Sequence, residues 1–174
     1  MWTTMESPVG ALRIVANNAA ITAIEFSDQV GNNGSRHTSM NRAAAVSAGR
    51  PVGERDDDAP LLVEARRQLT AYFERELKDF DLPLAPDGTD FQRHVWDELL
   101  GVGYGETASY GEIAGRLGKS VVASRAVGLA NGRNPIPIVI PCHRVVGSTG
   151  SLTGYGGGVE RKQLLLELEQ DALF

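Results

Sequence analysis

The stretch Ile136-Pro137-Ile138-Val139-Ile140-Pro141-Cys142-His143-Arg144-Val145-Val146 holds the single cysteine of this 174-residue chain, directly after an apolar run that reads as extended. A thiol is a good nucleophile only as the thiolate, so a neighbour that takes its proton or stabilises the anion decides its reactivity. His143 and Arg144 offer both. The competing reading is a lone cysteine that serves as a small buried hydrophobe.

Downstream, residues 147–158 are glycine-dense and end in Gly154-Tyr155-Gly156-Gly157-Gly158. The Gly-Lys-Ser/Thr ending of a P-loop and the strand-turn-helix setting of a dinucleotide fold are both missing, which argues against a nucleoside triphosphate site. Glycines here let backbone amides approach a flat ligand, with Tyr155 as one wall. Residues 159–169 read as a closing helix with an apolar stripe of Leu164, Leu165 and Leu168. Glu169 lies four residues after Leu165, at the stripe's edge, where a carboxylate either reaches an interior histidine or simply faces water.

Upstream, Ser109 caps a helix over residues 110–117, Gly118-Lys119-Ser120 makes a turn, and residues 123–130 form a second short helix before Asn131-Gly132. Two short helices joined by a glycine-containing turn fit a helix-turn-helix. Charge distribution supports a polyanionic partner. The chain carries a net charge of -5, yet residues 113–159 contain no acidic residue and hold Arg116, Lys119, Arg125, Arg133 and Arg144. Such a segment presents a local positive field suited to phosphates. The plainer alternative is a buried, glycine-rich segment that lacks charge of either sign.

A further helix over residues 91–100, capped by Thr89 or Asp90, precedes this region, and the turn-rich linker Pro83-Leu84-Ala85-Pro86-Asp87-Gly88 marks a domain boundary. The N-terminal portion opens as a β-meander with strands over residues 2–6, 11–16 and 21–26. Residues 28–58 have no aromatic side chain and read as a mobile loop. Residues 59–77 then restore helical periodicity through Leu62, Ala65, Leu69, Phe73 and Leu77. The expected domains are residues 1–84 and 89–174.

One cysteine cannot form an internal disulfide, and no segment approaches the roughly 18 uninterrupted apolar residues of a membrane span. The opening Met1-Trp2-Thr3-Thr4-Met5-Glu6 has no leader character, so a reduced, cytoplasmic setting is expected.

The ordered set Tyr110-Gly111-Glu112, Arg125-Ala126-Val127-Gly128, Asn134-Pro135-Ile136-Pro137, Pro141-Cys142-His143-Arg144-Val145-Val146 and Gly154-Tyr155-Gly156-Gly157-Gly158 resembles the O6-alkylguanine-DNA alkyltransferase family. The likeness is close over residues 91–169 and covers the N-terminal half only in general layout. It implies an α+β fold: a ribonuclease H-like α/β N-terminal domain with a small antiparallel sheet, and a mainly α C-terminal domain with a winged helix-turn-helix. It also implies direct-reversal repair, in which the alkyl group of O6-alkylguanine, with O4-alkylthymine as a second candidate substrate, passes irreversibly to Cys142.

By that resemblance the partner is double-stranded DNA bound in the minor groove, with the damaged guanine rotated out of the stack. Arg125 fills the vacated place, Ala126 and Gly128 share its DNA-binding helix, and Tyr110 crowds the phosphate and offers its hydroxyl to guanine N3. Cys142 is activated through His143, a bridging water and Glu169, while Asn134 ties the recognition helix to the active-site turn. The carbonyls of Cys142 and Val145 accept the guanine amino group, and Tyr155, Gly156 and Gly157 line the pocket. A monomer with no cofactor is expected.

Two departures stand out. Some relatives offer a serine where Gly156 stands, and residues 118–124 are about one residue longer than the usual turn, with an unusual Val121-Val122 pair. Paired cysteines and histidines hold a structural zinc in some relatives. Here one cysteine and the scattered His37, His94 and His143 leave no such metal site expected. The competing functions are a non-catalytic protein that binds alkylated DNA and flags lesions, which the presence of Cys142 weighs against, and a cysteine hydrolase. The hydrolase needs an oxyanion hole for which no signal is visible. A transcription factor would want a dimer interface, and no heptad offers one.

Overall fold

The structure is a computed structural model that describes residues 1–27, 53–153 and 155–171. Strands β1 (Trp2–Met5), β2 (Leu12–Ala16) and β3 (Ile21–Phe26) form an antiparallel meander in that order. The register sets Trp2 opposite Val15 and Leu12 opposite Phe26. Val15, Ala23 and Glu25 are buried as well as Leu12, Ile14 and Ile24, so both faces are largely covered and the sequence alternation is only partial.

Most of the expected 28–58 loop lies outside the described residues. Its last part departs from the expectation, because residues 53–58 are bonded along β1. The Trp2 amide donates to the Glu54 carbonyl at 3.0 Å, the Asp56 amide donates to the Trp2 carbonyl at 2.9 Å, and the Thr3 hydroxyl donates to Asp57 at 2.6 Å. Backbone pairing needs no apolar side chains, which is why composition alone suggested a loop.

Helix α1 (Pro60–Phe73) has proline in its first turn and packs Leu62, Ala65, Leu69 and Tyr72 inward. It ends four residues before the expected Leu77, where Arg75 adopts a left-handed φ of 64°. Tyr72 is fully buried on the inward face, while Phe73 packs against the core only partly buried. The linker is likewise tied down: the Ile21 amide donates to the Pro83 carbonyl and the Ala85 amide to the Ile21 carbonyl, both at 2.8 Å, so it runs beside β3.

Helix α2 (Asp90–Leu99) starts at a capping box in which Thr89 and Gln92 exchange hydrogen bonds. Its Trp96 is buried and donates its indole N–H to the Ala130 carbonyl at 2.9 Å. A side chain at Gly88 would place its Cβ 2.5 Å from that indole, so glycine is what admits the ring. Strand β4 (Ala108–Ser109) leads into α3 (Tyr110–Arg116), which opens with a second capping box between Ser109 and Glu112.

A 3-10 turn (Val121–Ala123) precedes α4 (Ser124–Gly132), and α3 packs against α4 to give the helix-turn-helix. Val121 and Val122 are exposed. A second 3-10 turn (Cys142–Arg144) runs into β5 (Val145–Val146), which pairs parallel with β4. Helix α5 (Val159–Asp171) ends the described chain. Among the described residues no helix is long and apolar enough to cross a membrane.

Candidate active site

The approach to Cys142 is a tight turn and not the extended run that its branched apolar residues suggest. Ile138 has φ of 75°, and the Ile140 amide donates back to the Ile136 carbonyl at 3.0 Å. Asn134, just after α4, braces this turn from inside. Its side-chain N–H donates to the Ile140 carbonyl at 2.8 Å, and its side-chain oxygen accepts from the Ile136 amide at 3.0 Å. A β-branched residue in the left-handed region is costly and persists only where its surroundings hold it. Ile136 and Ile138 are completely buried, which supplies that hold.

Cys142 heads the 3-10 turn and is 3% exposed. Asn131, on the last turn of α4, donates its side-chain N–H to the Cys142 carbonyl at 3.2 Å. Burial pushes the thiol up to about 11, opposed by the Asn134 side chain, the Lys162 charge and the backbone amides of Cys142 and His143. The ground state is therefore a thiol, and a base is needed to make the nucleophile.

His143 follows directly on the same turn. Its ring is fully buried, with Nε2 at 2.7 Å from Glu169 Oε1. Burial holds its basicity below the ordinary imidazole value, although Glu169 pulls the other way, so the ring is neutral at neutral pH. Hydrogen bonding then assigns the proton to Nε2, and Nδ1 is left as a lone pair with no hydrogen-bond partner among the described residues.

Glu169 is the hub. It accepts from Tyr72 Oη at 2.8 Å, from Arg144 Nη2 at 2.9 Å and Nε at 3.0 Å, and from the Gly105 amide at 3.2 Å, besides His143. Burial alone would raise this carboxyl, but the His143 and Arg144 interactions outweigh it and hold it at about 2. Arg144, read from sequence as a partner of the thiolate, instead turns to Glu169 and donates to the Val102 carbonyl at 2.7 Å. It thereby leaves the surface patch and neutralises the buried carboxylate.

The cation near the thiol is Lys162, which sequence reading missed. It is fully buried on α5 and donates to the Thr153 carbonyl at 2.7 Å and to the Val145 carbonyl. Burial lowers its pKa to about 8, against the attraction of Cys142. The signal was present, since Lys162, Leu165 and Glu169 recur at spacings of three and four. The expected stripe included Leu164, which is 42% exposed; the inward face is rotated to Lys162, Leu165, Leu168 and Glu169. Tyr72 and Asn131 were also missed, being polar groups on otherwise apolar helix faces.

Around this centre, Tyr110 opens α3 half-buried and donates its hydroxyl to the Thr153 carbonyl at 2.6 Å. Burial raises its pKa, and a Cys142 charge raises it further against the Thr153 hydrogen bond. Tyr155 is buried near Cys142, Gly156 is half-buried and Gly157 is buried, while Gly154 lies outside the described residues. Arg125 and Ala126 are exposed at the start of α4, apart from the buried cluster. Gly128 faces Tyr110, where an added Cβ would sit 3.6 Å from the ring. The Val145 carbonyl already bonds Lys162.

Comparison with known proteins matches the chain in two parts. A family model described as 6-O-methylguanine DNA methyltransferase, ribonuclease-like domain, matches residues 1–86, and its DNA binding domain counterpart matches residues 90–171. A methylated-DNA–protein-cysteine methyltransferase of Mycobacterium tuberculosis (strain ATCC 25618 / H37Rv) is 45% identical over 167 residues, 96% of this chain and 90% of the relative. One of Methanosarcina acetivorans is 60% identical over 106 residues, 61% of this chain and 67% of the relative. The crystal structure of Mycobacterium tuberculosis OGT in complex with DNA superposes with a TM-score of 0.81 at 44% identity, covering 98% of this chain and 93% of that one. With both of its halves matched and near-complete coverage at this identity, the chain belongs to the 6-O-methylguanine DNA methyltransferase family.

Proposed function

We propose that the protein repairs DNA by direct reversal, transferring the alkyl group of O6-methylguanine to Cys142 as a methylated-DNA–protein-cysteine S-methyltransferase. The observation that carries this reading is the buried Cys142-His143-Glu169 series, in which Nε2 is committed to Glu169 and Nδ1 remains basic. His143 takes the thiol proton through Nδ1 by way of a bridging water, because adjacent residues on a 3-10 turn are poorly placed for a direct pair. Glu169, charge-balanced by Arg144, stabilises the imidazolium that forms.

The Cys142 sulfur then attacks the O6-alkyl carbon. The S–C bond forms, the C–O6 bond breaks and its electron pair stays on the purine. Tyr110 donates its hydroxyl proton to N3, so that a neutral base leaves, and is reprotonated by the proton removed from Cys142. A thioether has no comparable route back, and each molecule is consumed once. Lesion access requires base extrusion, for which the exposed Arg125 on α4 supplies the intercalating side chain, with Ala126 and Gly128 allowing close approach to the minor groove.

In this reading residues 89–174 hold every reacting group and residues 1–84 support them. Asn134 positions the active-site turn, the carbonyls of Cys142 and Val145 receive the guanine amino group, and Tyr155, Gly156 and Gly157 form the pocket. The protein works as a cytoplasmic monomer without a cofactor. The decisive experiment mixes the protein with excess duplex bearing O6-methylguanine and measures intact and peptide masses. One methyl per protein on Cys142 is expected. Methyl loss from DNA beyond one equivalent, or no adduct on folded protein, would overturn the reading. Cys142→Ala retains DNA binding and loses transfer.

A further inference from the structure

Phe26 belongs to the N-terminal sheet and is 2% exposed. Its ring meets Tyr155 edge-on, with centroids 6.4 Å apart at 64°. The two rings also close on Gly157: a Cβ there would lie 2.6 Å from Phe26 Cε2 and 2.7 Å from Tyr155 Cε1. Gly157 has no room for a side chain against these two rings.

Arg161 of α5 locks the same corner. Its guanidinium lies 4.4 Å over the Phe26 ring, donates from Nε to the Val9 carbonyl at 2.8 Å and from Nη1 to the Gly157 carbonyl at 3.1 Å. Sheet, helix and glycine loop thus meet on one aromatic ring. Tyr155, the pocket wall in the reading above, has a buried hydroxyl with no hydrogen-bond partner among the described residues. The ring is therefore held by packing and not by a polar anchor, which makes its position depend on what stands behind it.

We infer that Phe26 is a specificity-determining residue that sets the upper size of alkyl group accepted at Cys142, by backing Tyr155. The inference rests on the alkyl-transfer reading above. A methyl group needs no movement of the wall. A bulky group needs Tyr155 to retreat into the volume that Phe26 and Gly157 occupy.

The test measures single-turnover rates on one duplex sequence bearing either O6-methylguanine or O6-benzylguanine, for wild type, Phe26→Ala and Phe26→Leu. The benzyl-to-methyl rate ratio is the readout, because a general loss of fold or of DNA binding lowers both rates together. A detection limit stands for any rate too slow to measure. A rise of threefold or more in the ratio for Phe26→Ala is expected, with Phe26→Leu read by the same threshold if the alanine variant does not fold. A smaller rise, no change or a fall in the folded variant overturns the inference. Wild type inert toward the methyl lesion sinks the alkyl-transfer reading itself, and this inference with it.

Discussion

His143 Nε2 and Glu169 Oε1 lie 2.7 Å apart with both side chains fully buried, although 26 residues separate them in the chain. The contact joins the turn that carries Cys142 to the last turns of α5. It fixes which imidazole nitrogen is free to act as a base.

Glu169→Gln removes the charge that orients His143 and offsets Arg144. Loss of an oriented general base lowers the transfer rate by about 10²–10⁴-fold. Leaving the Arg144 guanidinium buried without its counter-ion costs about 3–5 kcal/mol of stability. Single-turnover kinetics and denaturant unfolding measure the two separately, and a variant with wild-type kinetics would remove Glu169 from the relay.

Stability should fall in acid for the same reason. Glu169 is held at about 2 in the folded chain against an ordinary 4.5. Between these values the unfolded chain binds the extra proton, so stability rises with pH across that window. The contribution, about 3 kcal/mol, is complete above pH 4.5 and is lost as pH falls toward 2. Urea unfolding from pH 5 to pH 2.5 checks the slope, which should flatten in Glu169→Gln.

Lys162→Met leaves the Val145 carbonyl without its buried side-chain donor, while the Thr153 carbonyl keeps Tyr110, at a cost of about 1–3 kcal/mol. It also removes a charge that favours the Cys142 thiolate. Unfolding midpoints and the rate of iodoacetamide alkylation at fixed pH should both drop. An unchanged alkylation rate would show that Lys162 only holds backbone.

Arg125→Ala should separate lesion access from chemistry. Arg125 is exposed on α4, so stability stays within about 0.5 kcal/mol of wild type. Repair of duplex O6-methylguanine slows roughly tenfold or more, on the scale of a flipping step worth a few kcal/mol. Reaction with free O6-methylguanine base is unaffected; an equal loss on both substrates would place the effect elsewhere.

Much of this site was legible in order along the chain. Local signals placed the meander, a cap at Ser109, another at Thr89 or Asp90, and the two helices of the helix-turn-helix, because hydrogen bonds between near neighbours create them. The motif around Cys142 and the helical spacing of Glu169 were visible for the same reason. The Ile136-to-Ile140 turn was not, since branched apolar residues favour extended backbone and only burial and the Asn134 bonds override that preference.

The sequence by itself determined the family, through a motif that sets an imidazole beside the single thiol. Which cation serves which anion was decided only in three dimensions. Arg144 is next to His143 in sequence yet pairs with Glu169, and Lys162, 20 positions after Cys142, acts on the thiol. The placement of Phe26 behind Tyr155 is likewise invisible along the chain. Electrostatics and packing act through space at a few ångströms, and a reading of neighbours along a chain reaches such pairs only when one helix or turn brings them together.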